Sequence, residues 1–387
     1  MARAARAAVG AVTTTTASVL PVFLTGALTV QISAELGFDP AGLGVVVALY
    51  FGISAVASLP CGWLVERFGA GPTSRLALLG TACAMGSIAL FARSYAGLVV
   101  MLLCCAWCNV LAQLSSNLTL ARHVPATRLG FSFGIKQAAI PIATLLSGAA
   151  VPGIALTIGW RWAYLIATGL ALGALLLTPR GSDGRGRASA ASGERATGAL
   201  SVIGLAAGLG AGAASALGIF LVAAAVDRGV DAGLAGLTLT LGSVVGLTLR
   251  LVNGWLADRR SGGHIAVVAG SLMAGAVGLV LLAVPGPPAL VAGTVLAFGL
   301  GWSWPGLLQF AVVRLHPEAP AAATSIVQVG VYGGGFAGPI AFGFVAAHAS
   351  FTAAWLMGAA SMLVAGVLMV VGRRMLVAHR EAVTAAR

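Results

Sequence analysis

The sequence predicts an all-α membrane protein: twelve transmembrane helices in two pseudo-symmetric six-helix bundles. Composition is the first reason, because 59% of the 387 residues are hydrophobic and only 8% charged, against roughly 25% charged in a soluble domain. Spacing is the second. Apolar runs of the ~20 residues a helix needs to cross a bilayer fall at 9–33, 41–63, 75–92, 97–120, 130–152, 162–178, 199–224, 234–256, 265–284, 289–312, 321–346 and 352–372. The third is charge placement, since Lys and Arg concentrate in cytoplasmic loops. With both termini set in the cytoplasm, 17 of the 22 Lys+Arg lie inside, Arg93, Arg161 and Arg228 lie outside, and Lys136 and Arg250 lie within spans. A multi-pass location in a cell inner membrane or plasma membrane is expected. The net charge of +12 would suggest nucleic acid in a soluble chain. Here it is scattered over short loops and reads as orientation and contact with the inner leaflet of the lipid bilayer, so no nucleic-acid partner is expected.

Taken in order, the first span follows Arg3 and Arg6 and mimics a secretory signal, but eleven spans follow it and we read it as a retained helix. It carries Thr25 and Thr29 at i and i+4, one face of a helix. The second span ends at Gly62-Trp-Leu-Val-Glu-Arg67. The fourth carries Asn109, Gln113, Ser116 and Asn117 at i, i+4, i+7 and i+8, again one face. In a membrane such a polar stripe belongs in a bundle interior or a water-filled cavity. Cys105 and Cys108 form a C-x-x-C, yet no His or carboxylate stands near to complete a site. The five cysteines therefore read as small hydrophobes, and neither a metal nor a cofactor is expected. The fifth span holds Lys136, the chain's only lysine, followed by Gln137.

The longest polar interruption, Pro179 to Gly198, is rich in Gly, Ser and Arg and reads as a flexible cytoplasmic linker. It sets the expected domains at 1–179 and 199–387, joined by 180–198. In the second half the eighth span holds Arg250 and ends at Gly254-Trp-Leu-Ala-Asp-Arg259. The tenth carries Trp302, Trp304 and Gln309, and the eleventh carries Gln328, the glycines 333–335 and Pro339. The two tryptophans point about 200° apart on a helix, so at most one faces a substrate, and we place Trp302 there. Pro21, Pro141, Pro305 and Pro339 are candidate hinges or packing points. The Gly62 and Gly254 motifs lie 192 residues apart, and Gln137 and Gln328 lie 191 apart. Parallel repeats of this kind are a transporter architecture, with the substrate site near the midplane.

On these residues the chain resembles the major facilitator superfamily. Gly62 to Gly69 is similar to that family's G-x-x-x-D-R-x-G loop, with Glu66 in place of Asp, and Gly254 to Arg259 is its second copy. The Gly-Trp-Arg-Trp run at 159–162 and the pair Gly338-Pro339 support the resemblance. It implies alternating access, with Glu66, Arg67, Asp258 and Arg259 gating a loop that latches in one state and releases in the other. It also implies that the fifth and eighth spans are neighbours, so that Lys136 and Arg250 flank one cavity.

Each of these cations lies eight residues from a charged residue at the cytoplasmic edge, Arg128 or Asp258. That is about 12 Å into a hydrocarbon core about 30 Å thick. All ten acids lie in loops or at span ends. A buried cation without a counter-charge is costly, and an anionic small molecule would offset it. We therefore expect a secondary active or facilitative transporter of a small organic anion, a carboxylate fitting arginine's planar fork. Its site is expected to be lined by Lys136, Arg250, Asn109, Gln113, Asn117, Gln137, Thr25, Thr29, Trp302 and Gln328. Proton coupling and exchange against a counter-anion both stay open, because no embedded acid marks a proton carrier. Two structural readings stand beside this one: Lys136 snorkelling to the cytoplasmic face, and Arg250 bonding backbone carbonyls. The alternative function is proton-coupled drug or multidrug efflux. Exporters of that kind carry embedded carboxylates and a glycine-rich fifth helix, matched here only by Gly148, Pro152 and Gly153. No cluster of nucleophiles or metal ligands at one depth suggests an enzyme.

Overall fold

The computed structural model describes residues 2–123, 135–178, 197–260, 262–315 and 320–385. Regular structure among them is helical throughout, and twelve helices, from Ala7–Ala27 to Phe351–His379, are long and apolar enough to cross a membrane. Most boundaries fall within a few residues of expectation. The first span is shorter than expected. Its helix ends at Ala27, and after Leu28 a separate short helix, Thr29–Leu36, runs to Gly37 in the left-handed region at φ 68. Thr29 therefore opens a second helix instead of continuing the first.

The chain packs as two compact units, Met1–Arg187 with Gly218–Val244, and Ala188–Leu217 with Val245–Arg387. The seventh and eighth spans thus each contribute to both. In lipid the apolar tails compete for every apolar surface, so helices associate through close backbone approach at small residues and through bonds between polar side chains. Both devices are present in the first unit. The Cys108 sulfur occupies the space over Gly80, and Ser74 donates to Ser115 at 2.9 Å. Gly148 meets Gly236 and Thr240 so closely that a Cβ on it would lie 2.6 Å from the Gly236 carbonyl oxygen. Ser243 donates to Thr144 at 2.7 Å, one turn along the same seam. In the second unit Gly204, Gly208 and Gly212 interleave with Gly330, Gly334 and Gly338, and a Cβ on Gly334 would lie 1.8 Å from the Gly208 carbonyl oxygen.

Two of the described spans contain π-helical turns. The fifth passes into a π-helical turn at Val151–Ala155, which contains Pro152 and Gly153. The tenth is broken: an α-helix Pro287–Leu296 runs into a π-helical turn Ala297–Gly301, Trp302 to Trp304 lie outside any helix, and a new helix starts at Pro305. Proline is tolerated in a first helical turn because its missing N–H has no partner there to lose.

Candidate functional site

In the first unit the fourth and fifth spans meet at Lys136. Its side chain is 6% exposed and its ammonium donates to Asn117 Oδ1 at 2.6 Å and to the Gln113 carbonyl oxygen at 3.3 Å. Among the described residues no carboxylate pairs with the lysine. Both acceptors are neutral, and the third N–H of the ammonium has no partner among the described residues. Asn109 stands two turns from Asn117 on the same helix, 7% exposed, and its buried Oδ1 accepts no hydrogen bond. Ser116, the remaining member of the stripe, is instead taken up between helices: Thr15 donates to it at 3.4 Å, and it donates to the Ala11 carbonyl. Gln137 is half-buried beside Lys136. Thr25 is fully buried and shares a 2.7 Å hydrogen bond with the Tyr164 hydroxyl, which ties the first span to the sixth. Thr29 is buried as well.

The second unit holds its cation differently. Arg250 donates through Nε at 3.2 Å and Nη2 at 2.7 Å to the carbonyl oxygen of Trp302, with the guanidinium 5.8 Å from the indole centroid. That carbonyl lies where the tenth span breaks. The last carbonyls of a helical segment have no intrahelical partner and carry partial negative charge, so the guanidinium both bonds and electrostatically complements the break. Asn253, one turn on from Arg250's own, donates to Ser303 Oγ at 3.1 Å, and Trp304 Nε1 donates to the Gly301 carbonyl at 2.9 Å. Trp302 and Trp304 are both buried. Gln309 donates to Gln328 at 3.3 Å, joining the tenth span to the eleventh. Beside the glycine seam lies a cavity of about 410 Å³ lined by Leu205, Gly212, Gly333, Ala337, Met357 and Ser361 among others, nearly all apolar.

Of the expected gating residues, the side chains of Glu66 and Asp258 lie outside the described residues. Both arginines are exposed and adopt the same arrangement in the two repeats. Arg67 stacks on Trp63 at 4.9 Å and Arg259 on Trp255 at 3.8 Å, each tryptophan four residues earlier on its helix.

One charged cluster had no place among the expected site residues. At the end of the first unit poor in arginine, Glu35 accepts from Arg161 Nη1 at 2.5 Å and from Trp160 Nε1 at 2.9 Å. Arg161 also donates to the Ala92 carbonyl at 2.9 Å and stacks on Trp160 at 4.3 Å. The hydrogen bonds from Arg161 and Trp160 hold the Glu35 carboxyl below its usual range. The left-handed Gly159, at φ 100, turns the chain into the helix that presents both donors.

A family model described as Major Facilitator Superfamily matches residues 7–198 and 200–384. Two solved structures of a bacterial homolog to the human lysosomal transporter Spinster share the fold. One is inward-facing and occupied, with a TM-score of 0.75 and 15% identity over 98% of this chain and 97% of that one. The other is inward-facing and unoccupied, with a TM-score of 0.70 and 15% identity over 97% and 96%. At that identity the likeness is one of fold. No curated protein sequence matches this chain significantly.

Proposed function

We propose that this chain, which belongs to the Major Facilitator Superfamily, carries a small organic anion, a carboxylate by preference, across its membrane by alternating access, with Lys136 as the principal contact to the negative group. One observation carries the reading: a buried ammonium is bonded to two neutral acceptors and keeps one N–H in hand. Neutral dipoles solvate a buried charge without neutralising it, and an uncompensated ion in a low-dielectric interior costs several kcal/mol. An arriving carboxylate would supply the missing charge and accept the free N–H, so it gains more at this position than a neutral cargo does. Asn109, Gln113, Asn117 and Gln137 are the surrounding contacts we assign. Arg250, Trp302 and Gln328 contribute to the site only if the broken tenth span releases the guanidinium during the cycle. Both a proton and a counter-anion satisfy charge balance as the coupled species.

The test is uptake of labelled carboxylates and of neutral and cationic drugs into proteoliposomes, comparing wild type with Lys136→Met. Saturable carboxylate uptake that the substitution abolishes, in a protein that still purifies as a folded species, supports the reading. A second reading, efflux of apolar compounds, is favoured by the apolar cavity beside Gly212 and Gly333. It predicts drug transport that Lys136→Met leaves intact.

A further inference from the structure

We propose that the cargo carries a hydroxyl or other hydrogen-bond donor several ångströms from its negative group, and that Asn109 reads this donor. The inference rests on Lys136 holding the negative group, as argued above, and adds the chemistry of the other end of the molecule. Asn109 is 93% buried by its 7% exposure, and its Oδ1 is an acceptor shielded from solvent that nothing in the described structure satisfies. Buried polar side chains nearly always find a partner, and an orphan on the polar stripe of a transporter helix fits one that arrives with the cargo. Elsewhere on the stripe, the Asn117 side chain and the Gln113 backbone carbonyl are used by Lys136, and Ser116 by the first span.

The spacing sets the length of the cargo. Lys136 Nζ is held between the backbone of Gln113 and the side chain of Asn117, four and eight residues along the helix from Asn109, so it stands about 6–12 Å along the axis from it. With a hydrogen bond of about 2.8 Å at each end, the two groups on the cargo are separated by up to about 6 Å. An α-hydroxy acid, whose hydroxyl sits about 3 Å from its carboxylate, satisfies only one end at the longer spacing. A 4-hydroxy acid in extended form reaches both. A site built to bond a hydroxyl rejects the analogue that lacks it, because the buried acceptor is then left bare.

The experiment is competition against labelled butanoate uptake in proteoliposomes by three unlabelled probes: butanoate, 2-hydroxybutanoate and 4-hydroxybutanoate. Wild type is expected to prefer 4-hydroxybutanoate about tenfold over both others, and this comparison needs no variant to fold. In Asn109→Leu the ratio between the probes is expected to fall to within about twofold, whatever rate of butanoate uptake remains, and Asn109→Ser, which keeps a short acceptor, is expected to retain part of the preference. Equal competition by all three probes in wild type, with uptake still lost in Lys136→Met, overturns the role of Asn109 and leaves the anion reading standing. Uptake of butanoate that is non-saturable and unchanged in Lys136→Met overturns both.

Discussion

Lys136, buried, and Arg250, half-buried, are both cations on transmembrane helices, but they are held by different kinds of partner. Lys136 rests on a side-chain amide and one carbonyl and keeps a free N–H. Arg250 is forked onto the carbonyl at the break of the tenth span. A flexible ammonium on neutral side chains can exchange partners at little cost, since lysine is a rotatable point charge. A guanidinium forked onto a carbonyl at a helix break gives up two charge-assisted hydrogen bonds when it leaves. On the function proposed above, the same residue class serves recognition in one unit and helix architecture in the other.

The largest effect separating the two is on transport. Lys136→Met is expected to lower anion uptake about 100-fold or more, the scale seen when a buried charge partner is removed, with little change in melting temperature in detergent. Arg250→Met is expected to act first on stability, because two charge-assisted hydrogen bonds to the Trp302 carbonyl are lost; a hydrogen bond to a charged group contributes about 1.5–3 kcal/mol. Arg250→Lys returns one donor and so part of the loss, whereas Lys136→Arg replaces a compact head with a bulky planar one and is expected to restore little. If Arg250→Met melts like wild type yet transports no anion, the contrast collapses and Arg250 joins the recognition site. Below these comes Asn253→Ala, which removes a neutral bond to Ser303 and is expected to cost about 0.5–1.5 kcal/mol with transport reduced in proportion to stability.

Much of this contrast was hidden in the sequence for a physical reason. Hydropathy located most spans to within a few residues, because the bilayer fixes their length. The stripe Asn109, Gln113, Asn117 followed from helical period alone, and the lone lysine announced itself by its cost. What Arg250 does depends on a break one helix away that no periodicity marks. The one signal in the sequence is Pro305 immediately after Trp302-Ser303-Trp304, a helix restart inside an apolar run, which by itself is equally compatible with a hinge or a packing point. Ser116 belonged to the stripe by spacing but is claimed by Thr15, a contact between residues 101 apart. Glu35, Trp160 and Arg161 are 125 and 126 residues apart, so only the tertiary fold joins them. Thr25 likewise looked available until Tyr164 took its hydroxyl.

Arg161 sharpens the comparison from a third side, because it is a cation that does have a carboxylate. Its partner Glu35 has a carboxyl held below its ordinary value of 4.5 by the bonds from Arg161 and Trp160. A depressed carboxyl pKa stabilises the folded state above the unfolded value, and that contribution disappears as pH falls through the folded one. Wild type is therefore expected to lose melting temperature between about pH 5 and lower values by an increment that Glu35→Gln lacks. The increment is small, since the Glu35 side chain is 45% exposed and solvent screens the pair. At neutral pH the variant is expected to melt slightly below wild type, because Trp160 keeps an amide acceptor and Arg161 keeps the Ala92 carbonyl. Anion uptake at neutral pH should be unchanged, as the cluster lies away from Lys136. A Glu35→Gln protein with a wild-type acid profile would show that this ion pair contributes nothing measurable, and that even a cation with its own counter-charge draws its hold from neutral bonds and stacking.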